Sequence, residues 1–188
     1  MKLSVLVPTV PRRLRTFFPS IIEQLESQVG DHPVEIIGLY DNKRMTVGEK
    51  RNSLLKIARG EYITFVDDDD RIDEDYIKDI LKALEENPEA DCVVYDVICT
   101  VNESTKQYCR YGIEYDYHTE GMDWYGKPAH THVWKRSIAL QGSFPEANFS
   151  EDTNWVGQVW PLIKNQARIN KVLYYYDFNI STTETRNV

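Results

Sequence analysis

The first hundred residues contain four short runs that are apolar at almost every position. The runs are rich in β-branched and aromatic residues, which is typical of strands buried on both faces. Between them, apolar residues recur every three or four positions, as on one face of a helix. This alternation predicts an α/β fold in which a mostly parallel sheet carries helices on both faces. The predicted strands are LSVLV (3–7), EIIGLY (35–40), YITFV (62–66) and CVVYDVI (92–98).

Three helices are predicted between these strands. The first covers about residues 12–28. The second has Thr46 and Glu49 at the spacing of a capping box, and we expect Gly60 to end it in a left-handed conformation. Asp73 is predicted to cap the third helix.

The pattern weakens after about residue 100. The stretch QYCRYGIEYDYHTEGMDWYGKPAH is polar and aromatic, and it predicts a long, partly irregular segment. We expect one domain over residues 1–188, in which residues 1–100 form a nucleotide-binding half and residues 101–188 complete the site. The elements predicted in the second half are a strand at HVWK (132–135), a short helix near SIAL (137–140), a helix starting near Thr153 and a final strand INKVLYYYD (169–177).

Composition and charge limit the possible function classes. A chain of 188 residues is long enough for one domain that buries about 70% of its unfolded surface. The net charge of -8 disfavours a surface built to bind phosphate backbones or anionic lipid. No segment approaches the roughly 20 apolar residues of a membrane span, and the opening MKLSVLVPTVPRR is typical of a buried strand and not of a signal peptide. We therefore expect a cytoplasmic protein, with Cys92, Cys99 and Cys109 as free buried thiols.

Four consecutive aspartates, Asp67 to Asp70, directly follow the third predicted strand. Ligands bind at the carboxyl ends of the strands in an open parallel sheet, and these carboxylates lie at that edge. In extended geometry Asp67 and Asp69 share one side of the chain, where two oxygens suit a hard divalent cation such as Mg²⁺ or Mn²⁺. The alternative is a solvated turn that leads into the helix capped by Asp73.

A longer stretch around these aspartates resembles a known family. VGEKRNSLLKIARGEYITFVDDDDRID (47–73) is similar, from its R-N pair to its D-x-D-D end, to the corresponding stretch of family 2 glycosyltransferases. LSVLVPT resembles the first strand of that family, FSEDTNW its later GED signature and VLYYYDFNIS its closing strand. The resemblance implies a GT-A, Rossmann-like fold and the inverting, metal-dependent transfer of a sugar from a nucleotide sugar, with a UDP-sugar as the expected donor.

The resemblance also implies roles for the donor-side residues. Asp69, assisted by Asp67, is the expected ligand of Mn²⁺ or Mg²⁺, and Asp68 is expected to reach the ribose. Pro8 and Thr9, at the end of the first strand, are expected to contact the nucleotide. After the second strand the family usually shows VDDGSTD, whereas LYDNKRMT keeps only Asp41 as an expected contact to the nucleobase or the ribose.

Two further positions receive roles from the resemblance. Inverting transfer needs a base that removes the proton of the acceptor hydroxyl, and the SED segment offers Glu151 and Asp152. In similar proteins the second carboxylate is the base, which indicates Asp152. The alternative is that both residues cap the following helix. Arg51 is expected to face phosphate or nucleoside, with an ion pair to Glu49 or to the acidic loop as the alternative.

Histidines and tryptophans in the second half are further candidates. His130 and His132 lie on the same side of a predicted strand, but the sequence offers no two further convincing ligands for a zinc site. One of them could approach the diphosphate or complete the metal shell, whereas the pattern favours ordinary hydrogen-bonded histidines. Trp134 is predicted in the core. Trp124 and Trp155 are flanked by polar residues and are predicted at the rim of the cleft.

Two other functions fit the same residues. One is a non-catalytic protein that binds a sugar nucleotide or carbohydrate, and the other is a nucleotidyltransferase, which also uses paired carboxylates and a metal. Retention of both the aspartate run and the SED segment favours the glycosyltransferase, because a binding protein needs no base. The acceptor stays open between a glycan, a lipid-linked sugar, a protein, a small molecule and a modified base in nucleic acid.

Overall fold

The computed structural model describes residues 1–101 and 105–178. The predicted α/β class is confirmed, because one mixed sheet carries helices on both faces. The strands are β1 (Leu3–Pro8), β2 (Val34–Leu39), β3 (Tyr62–Phe65), β4 (Arg71–Ile72), β5 (Cys92–Val101), β6 (Thr105–Tyr111), β7 (His118–Glu120), β8 (Asp123–Gly126), β9 (Val133–Lys135) and β10 (Gln166–Phe178). The helices are α1 (Phe17–Val29), α2 (Val47–Ile57), α3 (Tyr76–Glu86), α4 (Arg136–Ala139) and α5 (Glu151–Val159), with a 3₁₀ turn at Trp160–Leu162.

The sheet is ordered β2-β1-β3-β9-β5-β6-β8-β7, and β10 pairs with β5 and with β4. Strands β1, β2 and β3 pair in parallel, as do β5 and β10. The short strand β9 lies between β3 and β5 and runs antiparallel to both. The start of β9 therefore lies near the carboxyl end of β3, and it pairs with Val93 close to the start of β5.

Each strand alternates between two cores, one on each face of the sheet. Leu3, Val5 and Val7 of β1 pack with α1 and α3, whereas Leu6 packs with α2 and α5 on the other face. Trp155 belongs to this second core. It is fully buried and stacks on Phe144 at 4.8 Å between ring centroids, so its predicted place at the cleft rim is wrong. The alternation is what burial on both faces of a sheet requires.

The two ends of α2 differ in how well local sequence signals predicted them. The predicted capping box at the start of α2 is confirmed, with Thr46 and Glu49 bonded reciprocally. Gly60 does not have the predicted left-handed backbone: α2 ends at Ile57, and a Cβ on Gly60 would lie 2.5 Å from the backbone nitrogen of Ser4. Gly60 therefore allows close packing against β1.

The third helix starts later than predicted. It begins at Tyr76 with Asp75 as N-cap, and Asp73 instead accepts a hydrogen bond from the backbone nitrogen of Asp75 at 3.0 Å and pairs with Lys171 at 2.7 Å. Asp73 is therefore not the cap. The last helix begins at Glu151 and not at Thr153.

The segment predicted as partly irregular contains three strands, β6, β7 and β8, that extend the sheet beyond β5. Strand β6 pairs antiparallel with β5, and β8 pairs in parallel with β6. Buried and exposed positions mix in these strands: Cys109 belongs to the core, whereas Tyr108 and the residues of β7 are exposed. Among the described residues no helix is both long and apolar enough to cross a bilayer. Residues 179–181 at the end of the VLYYYDFNIS segment lie outside the described residues.

Candidate active site

A cavity of about 380 Å³ opens at the carboxyl ends of β1 and β3. The sequence places polar residues directly after both strands, and pairing of Leu6 with Phe65 brings the two ends together. The start of α2 and the start of α5 close the opposite wall. The predicted site residues that line this cavity are Pro8, Thr9, Arg51, Asp67, Asp68, Asp69, Glu151 and Asp152.

The aspartate run forms a turn, which corrects the predicted extended geometry. The backbone nitrogen of Asp70 donates to the carbonyl of Asp67 at 3.2 Å. The four carboxylates consequently spread in different directions and do not alternate between two sides. Asp68 and Asp70 are buried, whereas Asp67 and Asp69 remain partly exposed. The run is thus not a solvated turn, and its buried carboxylates require partners.

Arg13 neutralises part of this charge from the segment between β1 and α1. Its guanidinium bonds Asp68 at 2.8 Å and Asp69 at 2.6 Å. The other oxygen of Asp68 accepts a hydrogen bond from the hydroxyl of Thr9 at 2.5 Å. Burial, reinforced by the charges of Asp67 and Asp68, raises the pKa of Asp69 to about 6 despite Arg13. Asp69 therefore takes up a proton at a higher pH than an ordinary aspartate.

Arg51 links the aspartate run to the start of α5. Its Nη2 lies 2.8 Å from Asp67 and its Nε 3.2 Å from Glu151, while Phe65 packs under the guanidinium at 5.3 Å. Burial opposes the charge, but the carboxylates of Asp67 and Glu151 raise the pKa of Arg51 above its ordinary value. Asn52 follows with two bonds to the backbone of Phe144, at 2.8 and 3.0 Å. The R-N pair thus holds together segments that are remote in sequence.

His130 joins Asp67 to Asp152. Its Nε2 lies 3.2 Å from Asp67 and its Nδ1 3.2 Å from Asp152. Burial and Arg51 act to lower the pKa of His130, but its bonds to both carboxylates raise it to about 9. In return, against the effect of burial, the hydrogen bond and charge of His130 hold the pKa of Asp152 well below its usual range. At neutral pH the imidazolium therefore bridges two carboxylates.

The remaining carboxylate of the run, Asp70, turns to β10. The hydroxyl of Tyr174 donates to Asp70 at 2.6 Å, and the same oxygen accepts from the backbone nitrogen of Asp67 at 3.0 Å. Burial, with the charges of Asp67 and Asp69, raises the pKa of Asp70 well above its ordinary value. Tyr174 therefore holds both ends of the aspartate turn against β10.

Asp41 lies beside this cavity and is held by a buried lysine. Lys50 pairs with Asp41 at 2.5 Å and donates to the carbonyl of Thr9 at 2.8 Å. The second oxygen of Asp41 caps the backbone nitrogens of Arg44 and Met45 at 2.6 and 2.7 Å. Burial acts to raise the pKa of Asp41, but the bond to Lys50 and these backbone bonds lower it. The carboxylate is therefore ionised and bound to the fold.

The sequence of the chain matches a family model over most of its length. Residues 16–146, more than half of the chain, fit the model of Glycosyl transferase family 2. The chain belongs to glycosyl transferase family 2. Among curated proteins no sequence matches.

Solved structures support the GT-A fold of this family 2 member. TarS of S. aureus has a TM-score of 0.65 at 17% identity, with 95% of this chain and 37% of the TarS chain covered. TarS 1-349 in complex with UDP-GlcNAc has a TM-score of 0.67 at 17% identity, with 98% and 62% covered. TarS 1-349 in complex with UDP has a TM-score of 0.63 at 18% identity, with 95% and 61% covered. The chain thus spans less than two thirds of these TarS chains.

The donor atoms on the cavity wall fit a hard divalent cation. Asp67 and Asp69 offer carboxylate oxygens to the cavity, which Mg²⁺ and Mn²⁺ prefer, while Asp67 also contacts Arg51 and His130 and Asp69 also contacts Arg13. A second acidic group, Asp73, Asp75 and Asp79, brings three carboxylates within 4.8 Å. Lys171 already lies 2.7 to 3.3 Å from all three, so this group has its cation.

Sequence reasoning missed three residues that organise the site in this family 2 chain. Arg13 follows the first strand closely, but nothing in VPRRLR indicates which of its arginines turns inward. Lys50 lies in a predicted helix, where a lysine is ordinarily exposed. Tyr174 is one of three consecutive tyrosines, and the sequence does not indicate which of them is buried. Of the two histidines, His130 reaches the carboxylates, whereas His132 is fully buried between Tyr95 and Tyr111.

Proposed function

We propose that the chain catalyses inverting transfer of a sugar from a nucleoside-diphosphate sugar, with a UDP-sugar as donor, to an acceptor hydroxyl. The observation that supports this most strongly is the bridge from Asp67 through His130 to Asp152. It places the carboxylates suited to a donor's diphosphate and the carboxylate suited to deprotonating an acceptor in one cavity. Membership of family 2 supports the same reaction class.

Asp152 acts as the base in this proposal. Its side chain is about one third exposed and lies at the cavity wall. The acceptor hydroxyl transfers its proton to an oxygen of Asp152 as its own oxygen bonds the anomeric carbon. The bond from that carbon to the diphosphate breaks on the opposite face, and its electron pair leaves with the diphosphate. His130 orients Asp152 and keeps it ionised.

Glu151 and Arg51 position this machinery. Glu151 is buried and pairs with Arg51, so it anchors the first turn of α5 from which Asp152 projects. Arg51 in turn orients Asp67. Its Nη1 is buried and has no hydrogen-bond acceptor among the described residues, so a donor oxygen that reaches it would gain a charged hydrogen bond.

The donor-side residues surround the place where a nucleoside diphosphate fits. When bound, a Mn²⁺ or Mg²⁺ held by Asp69 and Asp67 would offset the negative charge of the diphosphate leaving group. Pro8 and Thr9 line the same cavity. Asp68 bonds Thr9 and Arg13, and Asp41 bonds Lys50, so their direct contacts with ribose and nucleoside stay predictions.

The decisive experiment incubates the protein with Mn²⁺, a panel of UDP-, GDP- and dTDP-sugars, and hydroxyl acceptors, and measures release of the nucleoside diphosphate. Asp152→Asn should bind UDP as the wild type does and lose at least 99% of turnover. The matched control is Asp116→Asn, since the Asp116 side chain is 99% exposed and remote from the cavity, and it should be unaffected. Retention of most of the rate in Asp152→Asn would refute the base assignment.

One observation supports a non-catalytic sugar-nucleotide binder as the second candidate. The ion pair with His130 makes Asp152 a weak base before an acceptor arrives. A binding protein would take up UDP-sugars in the same panel without hydrolysis or transfer to any acceptor. The Asp152→Asn variant would then differ from the wild type in neither binding nor chemistry.

A further inference from the structure

A second cavity of about 360 Å³ lies on the far side of the His130 bridge. It is bounded by the ends of β5 and β10 and by strands β6 and β8. Asp67, Asp152 and Tyr176 line both cavities, so the two spaces meet at the carboxylates of the bridge. A ligand in the second cavity therefore reaches Asp152 from the side of β6 and β8, away from Asp68 and Asp69.

The lining of this second cavity differs in charge from that of the first. The first contains Arg13, Lys50 and Arg51, whereas the described lining of the second contains no lysine or arginine. Its acidic groups are the carboxyls of Asp67, Asp70 and Asp152, and its one basic group, the imidazole of His130, already lies between Asp67 and Asp152. A phosphate or carboxylate on the ligand would face these acids without a cation of its own. The lining favours an uncharged ligand.

Trp124 provides a fixed flat face in the second cavity. Its ring packs on Tyr111 at 5.2 Å and on Tyr117 at 5.8 Å. It also leans over Gly126, where a Cβ would lie 2.2 Å from the indole. Only a glycine at this position leaves room for the ring. An immobilised indole is the surface on which the apolar face of a sugar ring stacks.

Gln107 adds a hydrogen-bonding group to the same lining. It alternates with Cys109 and Tyr111 on one face of β6, and its side-chain amide forms no hydrogen bond within residues 1–101 and 105–178. An amide can both donate to and accept from ring hydroxyls. The indole of Trp124, the amide of Gln107 and the carboxylate of Asp152 together suit an uncharged ring that carries several hydroxyl groups.

We infer that the second cavity binds the acceptor, and that the acceptor presents an uncharged sugar ring whose hydroxyl meets Asp152. This rests on the proposed function for the identity of the base, and it goes further by naming the acceptor class. A phosphorylated sugar, a phospholipid headgroup or a nucleic-acid backbone does not suit this lining. Trp124 and Gln107 are the residues that determine acceptor specificity.

Direct binding tests the inference without any turnover. Saturation-transfer NMR would compare methyl glycosides of glucose and N-acetylglucosamine with their 6-phosphates. We expect the uncharged glycosides to bind at least tenfold more tightly than the phosphates. Trp124→Ala and Gln107→Ala should each weaken glycoside binding at least tenfold, and Trp124→Phe should keep part of it. The control is Tyr108→Ala, an exposed aromatic on the opposite face of β6 that should bind as the wild type does.

Transfer assays with the same glycosides separate the two proposals. If no donor sugar is ever transferred but Trp124→Ala still loses glycoside binding, the proposed function fails, and of the inference only the binding of an uncharged sugar in the second cavity stands. If transfer occurs and the Trp124 and Gln107 variants retain their acceptor KM, the inference alone fails. Preference for the 6-phosphates, or absence of glycoside binding, also overturns it. So does a Trp124→Ala variant that binds UDP normally but UDP-GlcNAc tenfold less tightly, because the ring in the cavity would then belong to the donor.

Discussion

Nδ1 of His130 lies 3.2 Å from Oδ2 of Asp152, and this contact couples the candidate base to the aspartate turn. We expect His130→Ala to destabilise the fold by about 3 kcal/mol, because it removes the ion-pair partner of Asp152 and leaves Asp67 with Arg51 alone. The destabilisation should be smaller when Asp152→Asn is present, since one of the orphaned charges is then absent. Urea denaturation of the four proteins in the cycle measures this, and strict additivity would show that the contact carries no energy.

Arg51 gives a second stability prediction. Arg51→Met removes the only cation that pairs with Glu151 within the part of the chain that the structure describes, and one partner of Asp67, so we expect a loss of about 3 to 5 kcal/mol in the free energy of unfolding. The matched control is Arg59→Met, because Arg59 is 74% exposed and its ion pair with Glu35 lies at the surface. That control should cost no more than about 1 kcal/mol. Equal effects of the two substitutions would contradict a structural role for Arg51.

His132 predicts a pH dependence of stability. Its Nδ1 accepts from the backbone nitrogen of Ala129 at 2.8 Å and its Nε2 faces the carbonyl of Tyr95 at 3.1 Å, which fits the neutral imidazole. Burial lowers its pKa to about 4. Between pH 6.5 and 4 the unfolded chain takes up a proton there and the folded chain does not, so stability falls as the pH falls, by about 3 kcal/mol from this group.

The measurement is a series of urea denaturations from pH 7 to pH 4 on the wild type and on His132→Asn. The variant keeps an acceptor near Ala129 but has no titrating group, so its stability should depend less steeply on pH in this window. Since carboxylates add their own dependence to both proteins, the difference between the two curves is the quantity to compare. Parallel curves would contradict the lowered pKa.

Gly48 tests how α2 is docked against the loop before α5. A Cβ at Gly48 would lie 1.8 Å from the carbonyl oxygen of Pro145, and the Gly48 nitrogen donates to Ala147 at 3.1 Å. Gly48→Ala should therefore lower the melting temperature by several degrees. Gly157→Ala is the control, because nothing lies within 4 Å of its Cβ position in α5, and there alanine should stabilise by up to about 1 kcal/mol. A neutral Gly48→Ala would show that the loop moves freely.

Asp69 tests the cation site. Calorimetry should show that Mn²⁺ lowers the Kd of UDP for the wild type. In Asp69→Asn, the factor by which Mn²⁺ lowers this Kd should be at least tenfold smaller. Asp75→Asn is the control, because its acidic group is already paired with Lys171. Mn²⁺ dependence that survives in Asp69→Asn would assign the cation to other ligands.

Much of the fold could be predicted from local patterns. The four continuous apolar runs became β1, β2, β3 and β5, and the Thr46 box marked the start of α2, because burial on both faces and capping leave direct traces in sequence. The left-handed conformation predicted for Gly60 was wrong, because a glycine is required both in a left-handed turn and where two backbones pack closely. Strands β6 to β8 were missed because they lie at one edge of the sheet, where buried and exposed positions mix and no continuous apolar run forms.

The site could be predicted only in part. Position after a strand was enough to bring Thr9 and the aspartates together, because parallel strands share one edge. The turn that spreads the carboxylates, and the choice of Arg13 as a partner, depend on contacts between residues 55 positions apart. Periodicity carries no information about such contacts, which only the assembled fold determines.

The reversed direction of β9 has a consequence for comparing sequences of this architecture. A strand that runs parallel to its neighbours brings the residues after it to the cleft. An antiparallel strand between them brings the residues before it to the same place. His130, three residues ahead of β9, enters the cleft by this second route. A histidine just before the equivalent short strand in a distant homologue is therefore a candidate site residue, even where no ionisable residue follows that strand.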